Sequence, residues 1–567
     1  MRPVPRSRHL LAVLILAAAS AVSGYFVSLD DRLSTAQANI ASAAVKRHDP
    51  QRYTHDPIFG DELLWRFHTP AVQGILELFL VPTDYQDLRL PFRAMAGVMT
   101  MVFLCGMYAL LWAQCRSWSV AVFTAILSTR VIEALGGSYW GIGSMASIAP
   151  PGICQALLPL VVLAFLRYSR PAGGDLLATQ WRVLLVFGFV GLLGNFHLVT
   201  AMNATIILLV AYVARQRFRP RCLPVAIGCA LAALVAALPY AWYYVGLRAA
   251  ASGPAGEADP AVVYEAFRIG QLVTLYPELL TELLDWRLLA GGLVLVTPAV
   301  TLVLRIDRFR TQNLRVWVWM VLGGVLTAFV LHGVSQAAGK LLNVPPPVTD
   351  FVQAAGLVML PLYVMLAQSI VNLFRLLHGH RRLLRWAGAV LLAAWMVPAD
   401  NLRVPRYAVV DLATRFMDEA DKPSSVIRHH DKAARRAELA AIGQWALGRA
   451  GSVYLTDRGE FRALARRPIV LAPSDARYLH HLAPGRLGDW MKLFRRQQAL
   501  LHPPAGRADG KAIAQFVTEL VEADPKKLDL AEWYVILPAG AAPERPAPLK
   551  PVEGGRWGRH YCLFRIR

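Results

Sequence analysis

The apolar positions of this chain come in long unbroken runs rather than in alternating stripes. Runs near 9–28, 92–113, 118–136, 151–166, 183–197, 198–214, 222–246, 288–304, 316–333, 351–374 and 384–399 predict about eleven membrane-crossing helices. A helix needs ~20 apolar residues to cross the hydrocarbon core, and most of these runs approach that length. The pair within 183–214 must share a tight turn at Asn195, Phe196 and His197. Between the first two runs, Ala71 to Val81 has the spacing of an amphipathic helix lying at the interface.

After residue 399 the pattern changes. Helical spacing near 433–450, 486–502 and 511–523 alternates with short β-rich runs at 452–455, 468–471, 533–537 and 561–566, and the Pro-rich stretch 540–557 reads as a loop. The expected division is therefore a transmembrane helical domain over 1–399, with a long first outer loop at 29–91, and a water-soluble α/β domain over 400–567, large enough for its own core.

Charge orients this arrangement. Basic residues gather in every second connection: Arg2, Arg6 and Arg8; Arg116; Arg167, Arg170 and Arg182; Arg215, Arg217, Arg219 and Arg221; Arg305, Arg308, Arg310 and Arg315; Arg375, Arg381, Arg382 and Arg385. That alternation is the positive-inside pattern. It predicts a cytoplasmic amino terminus, attraction of anionic headgroups to the cytoplasmic face and, after eleven crossings, an extracytoplasmic tail. The amino-terminal stretch MRPVPRSRHLLAVLILAAASAVSG also has the parts of a signal peptide, but its apolar run continues through Val27, which favours an uncleaved first helix. Of the 567 residues, 56% are hydrophobic and 17% charged, and the formal net charge is +21. A balance this basic fits nucleic acid or anionic membrane; the placement of the arginines, with no zinc-finger or helix-turn-helix pattern, selects membrane. The six cysteines form no disulfide framework and no CxxC.

Chemistry concentrates in the first outer loop, KRHDPQRYTHDPIFGDELLWRFHTP. Asp56, Asp61 and Glu62 stand there beside His48, His55 and His68. A carboxylate near the outer headgroups can act as general base toward a hydroxyl or hold a divalent ion such as Mg²⁺ or Mn²⁺. The histidine spacing fits no standard zinc motif, so no resident metal site is expected. Lys340 and Arg268 are basic residues on the outer side, where a cation can hold the phosphate of a lipid-linked donor. Arg130 and Glu133 at the outer end of the third helix, and Asn195 and His197 at the turn after the fifth, are candidates to line a cavity, with helix pairing and interhelical hydrogen bonds as the alternatives. No P-loop, GxSxG, HExxH or Rossmann fingerprint is present, which disfavours an ATP-driven pump.

Four segments resemble the bacterial polytopic proteins allied to the GT-C glycosyltransferases: the acid-containing first loop, GLLGNFHLVTAMNATIILLV at 191–210, SQAAGKLL at 335–342, and ELAAIGQWALGRAGSVYLTDRGEFRALARRPIVL at 438–471. The resemblance is to an uncharacterised subgroup. It implies a GT-C-like bundle in the bacterial inner membrane with a periplasmic tail, and transfer of a sugar from a polyprenyl-phosphate donor to an acceptor that the sequence does not name. Asp56 best matches the family's first-loop acid, with Asp61 and Glu62 as rivals; Lys340 matches the phosphate-binding position and His197 the turn histidine. A lipid or small-molecule transporter and a non-catalytic protein of envelope assembly are the competing readings. The near absence of charge within the spans argues against an ion-coupled carrier.

Overall fold

The computed structural model describes residues 5–133, 139–169, 176–252, 259–270, 295–303, 313–342, 350–377, 381–418, 421–504, 506–524, 531–543 and 547–566. The chain is mainly helical and multi-pass. Among the described residues seven helices are long and apolar enough to span a membrane: α1 (Arg6–Ser28), then, after α2 (Thr35–His48) and α3 (Pro70–Leu80) of the first loop, α4 (Leu90–Cys115), and five more below. After α5 (Trp118–Leu127) come α6 (Pro150–Tyr168), α7 (Leu176–Leu193), α8 (Leu198–Arg215) and α9 (Leu223–Ser252). Beyond α10 (Pro260–Gly270) lie α11 (Leu314–Leu341), α12 (Phe351–Leu376) and α13 (Arg381–Met396). Of these, α6, α8, α9, α11 and α12 complete the seven, while α5, the 180–193 part of α7 and the 386–396 part of α13 are shorter apolar helices standing where crossings were expected. The crossing expected at 288–304 falls partly outside the described residues; 295–303 is helical.

One expectation needs correction. The run at 118–136 is not a single span. Its helix stops at Leu127, the hydroxyls of Ser128 and Thr129 donate back to Ala125 O and Ile126 O, and a two-strand ladder follows between β1 (Ile132–Glu133) and β2 (Tyr139–Trp140). The buried Asn401 fixes this exit from a distance. Its amide oxygen accepts from Val131 N, and its nitrogen donates to Thr129 O and Ile142 O. Arg130 and Glu133 therefore form no helical pair. The Arg130 guanidinium lies 4.2 Å from the centre of the Trp395 ring, and Glu133 is exposed on its strand.

Two ends of the bundle differ in chemistry. At one, the Arg215 guanidinium donates to Leu166 O, Ser169 Oγ and Asn313 Oδ1, Asn313 in turn donates to Gln114, and Trp118 donates to Arg8 O. The arginine-bearing connections thus gather at a common end. At the other end the first loop meets the tail.

The spans approach closely where small residues allow it. A Cβ on Gly191 of α7 would press directly on Ala233 O of α9, so only glycine permits this approach. Near the same level α9 carries Pro239, and the side chain of Asn195 bonds to the backbone on both sides of it: its nitrogen donates to Ala236 O and its oxygen accepts from Tyr240 N. That commits Asn195 to the helix pair.

The tail begins with α14 (Arg403–Ala413) and α15 (Ser424–Leu447). Its sheet has the order β3 (Ser452–Leu455), β4 (Glu532–Pro538), β6 (Tyr561–Arg565), β5 (Lys550–Arg556), parallel between β3 and β4 and antiparallel elsewhere. The α-helices α16 (Glu460–Ala465), α17 (Asp475–Leu482), α18 (Leu487–Leu501) and α19 (Gly510–Ala523) pack around it. Two strand expectations change. The run at 468–471 makes only a single bridge, Ile469 to Tyr454, and β5 occupies part of the expected loop 540–557. Pro551 is tolerated there because β5 is an edge strand, where a missing N–H breaks no ladder on the open side.

Candidate active site between the first loop and the tail

The first loop is built around Asp56. Its carboxylate accepts from Ile58 N and Phe59 N, from Ile469 N of the tail, and from Arg462 Nε at 2.7 Å and Nη2 at 3.2 Å. The other edge of the Arg462 guanidinium holds Asp475, at 3.1 and 3.2 Å, and Asp475 also accepts from Ala472 N. All three charged side chains have no exposed surface. Phe59 covers the guanidinium at 4.7 Å, and the Tyr53 hydroxyl donates to Arg462 O. Burial opposes the charge on Arg462, but Asp475 and Asp56 outweigh it and hold its pKa above the ordinary value. Burial raises the Asp475 pKa, against the pull of Arg462. Asp56 was the best-matched catalytic acid from sequence. Its lone pairs are occupied and water is excluded, so a proton from an acceptor has no route to it.

The two rival acids are more accessible. Asp61 caps the turn at Leu63 N and Leu64 N and pairs with Arg486 of the tail at 2.7 Å. Burial works against its charge, but those hydrogen bonds and Arg486 hold its pKa below the usual carboxylate range. Glu62, next to it, is exposed. Lys46 is buried behind the loop, where it donates to Pro50 O and Arg52 O.

The two candidate cations stand on neighbouring helices. Lys340, exposed near the end of α11, has its Nζ 5.9 Å from the centre of the Tyr264 ring on α10, and Arg268 follows Tyr264 by one helical turn. Glu265 of α10 pairs with Arg495 of α18, which ties α10 to the tail. Helix α17 packs against α10, α9 and the turn at Leu64–Phe67, so it stands between the loop acids and the α10 cations.

Arg477 on α17 is the residue that sequence analysis missed. Its side chain is exposed, yet the protein around it disfavours its charge and depresses its pKa, partly offset by Tyr478 and Asp350. Its charge reaches His68 of the first loop, His197 of the α7–α8 turn, His481 of α17 and Asp350 at the start of α12. Three segments far from α17 in sequence thus feel one guanidinium. The available signal was the spacing of Arg477, His480 and His481, which places three nitrogen-bearing side chains at i, i+3 and i+4 of one helix.

The histidines here are neutral. His68 shares a 2.8 Å hydrogen bond with the Tyr478 hydroxyl, and burial lowers its pKa to about 3. His197 caps α8, its Nδ1 accepting from Thr200 N, and burial lowers its pKa to about 4. His480, also buried, is lowered to about 4. These folded values lie below the free value of ~6.5, so the unfolded chain takes up protons first as pH falls. Stability is full above ~6.5 and is lost progressively toward 4. Each ring contributes up to ~1.4 kcal/mol per pH unit in that window. Thermal melting in detergent should show a clear drop between pH 7.5 and 5, reduced in His68→Gln. A flat profile would mean that the rings are charged in the folded chain. Among the described residues no three His, Cys, Asp or Glu side chains converge as a metal site.

No protein-family model and no curated protein matches this sequence. The structure is similar to that of the Archaeoglobus fulgidus oligosaccharyltransferase complexed with Zn and sulfate, with TM-score 0.42, 11% identity, and coverage of 93% of this chain and 68% of that one. It is similar also to that oligosaccharyltransferase tethered with an acceptor peptide containing the NVT sequon through a disulfide bond, with TM-score 0.41, 13% identity, and coverage of 94% and 69%.

Proposed function

We propose that this chain is a membrane glycosyltransferase of GT-C type. It would take a sugar from a polyprenyl-phosphate donor and pass it to an acceptor hydroxyl beside α17. The observation that carries the reading is Arg477, an exposed cation on α17 whose charge reaches His68 of the first loop, His197 of the α7–α8 turn and Asp350 at the start of α12. When the bond between the sugar's anomeric carbon and the phosphate oxygen breaks, the leaving phosphate gains negative charge. A guanidinium held where its charge is partly desolvated stabilises that change more than it stabilises the bound donor. Lys340 and Arg268 flank the donor's route along α10. The acceptor oxygen forms the new bond to the anomeric carbon, and its proton passes to Asp61 or Glu62. Asp56 instead holds the loop in place. The arginine-bearing connections gather at the opposite end of the bundle, which supports placing the site on the outer, periplasmic face of a bacterial inner membrane.

The test uses the full chain in nanodiscs with a panel of polyprenyl-phosphate sugars. We expect sugar release in wild type and a loss of ~10²–10⁴-fold in kcat for the Asp61→Asn, Glu62→Gln double variant, the usual contribution of a general base. Turnover that persists in that variant would remove the carboxylate role. A panel in which no donor binds or reacts would remove the transferase reading.

A further inference from the structure

At the arginine-bearing end of the bundle, far from that site, α6 and α7 enclose an open groove of about 390 Å³. Its walls are apolar side chains, among them Leu160, Ala164, Leu185 and Phe189. At its mouth stand Tyr168, Trp181 and Arg182. The Arg182 guanidinium lies 5.7 Å from the centre of the Tyr168 ring across the helix pair and 5.4 Å from that of Trp181, and Arg167 lies 5.7 Å from Tyr168 on the same rim. Apolar walls, an aromatic collar and then cations follow the order of a lipid read from chain to headgroup.

Length narrows the occupant. From Leu157, the deepest wall residue on α6, to Tyr168 at the mouth is ~16 Å of helix rise. That is about half of a ~30 Å hydrocarbon core, the depth of one leaflet. A long polyprenyl chain would overrun the groove, whereas an acyl chain fits its reach. Exposed walls such as Leu185, at 62% of its surface, need an apolar cover in the bilayer.

We propose that this groove is a binding site for an anionic diacyl phospholipid, one acyl chain lying between α6 and α7 and the phosphate held at Arg182 and Arg167. This lipid is distinct from any sugar donor, and the site stands whether or not the chain is a transferase.

The experiment is native mass spectrometry of the full chain, delipidated and titrated with phosphatidylglycerol or phosphatidylcholine of matched chains. Wild type should retain phosphatidylglycerol in preference, and the preference should weaken as salt rises. Each of Arg167→Ala and Arg182→Ala should weaken phosphatidylglycerol binding about fivefold, the factor for ~1 kcal/mol per basic side chain near an anionic surface. Arg182→Lys should keep most of it. Leu185→Trp, a change at an exposed wall, should remove binding of either lipid while the size-exclusion profile stays that of wild type. Equal retention of the two lipids, unchanged binding in both arginine variants, or displacement of phosphatidylglycerol by equimolar polyprenyl phosphate would each overturn the assignment.

Discussion

Arg462→Ala should separate the first loop from the tail, at a cost of about 3–5 kcal/mol, the range measured when one partner of a buried ion pair is removed. The size follows from what is left behind. Asp56 and Asp475 sit with no exposed surface on opposite edges of a shared guanidinium. Without it, two carboxylates face each other in a dry site and must be protonated, hydrated or expelled. Limited proteolysis around residues 49–60 and thermal melting should both report the change. The pH dependence of the difference from wild type identifies the mechanism. An unpaired buried carboxyl has a folded pKa above its free value, so the penalty is small in acid and grows as pH rises through that folded value. The variant should therefore lose more relative to wild type at pH 8 than at pH 5. Adding Asp56→Asn and Asp475→Asn to Arg462→Met should recover part of the loss, because a neutral site needs no counter-charge. An Arg462→Ala protein that melts within about 1 kcal/mol of wild type would show that the triad is incidental to the docking.

That same triad marks how far the sequence could be read. The spans were legible because a bilayer imposes one length on every apolar helix, and the arginine alternation was legible because it is a property of each connection alone. Asp56 was not. In the sequence it is one acid before a proline, like Asp49; its partner stands 406 positions later. The early end of α5 is a similar case, since the backbone groups freed at Thr129 and Val131 are satisfied by Asn401, 270 positions after Val131. Apolar periodicity registers burial but not which distant amide completes a turn. The tail's strands were read well where they are apolar, at β3, β4 and β6, and β5 was missed because it carries the glycines and proline that signal a loop. Lys340, chosen apart from Arg268, stands beside Tyr264 on the helix that carries Arg268, while Asp61 and Glu62 lie on the other side of α17. The helix that stands between them carries Arg477 in a stretch, 472–485, to which the apolar pattern assigned no element.

Arg477→Ala is the change with the largest expected effect on activity. If the guanidinium neutralises the departing lipid phosphate, its removal should lower kcat/KM by ~10²–10³-fold, the usual cost of one donor aimed at developing charge. The loss should fall more on kcat than on KM, because the phosphate carries more charge when it leaves than when it arrives. Stability should change little, since this side chain is exposed rather than packed in the core. Arg477→Lys should restore part of the rate through charge alone, without the planar fork that matches a phosphate. A further readout separates this role from a structural one. The Arg477 charge is among the causes that hold His68 and His197 below their free values, burial being the larger. Removing it should raise both, so the acid limb of the melting profile moves toward lower stability loss at pH 5 while turnover collapses. A protein with less acid sensitivity and normal turnover would leave Arg477 as a tuner of neighbouring rings; one with neither change would strip the site of its proposed purpose.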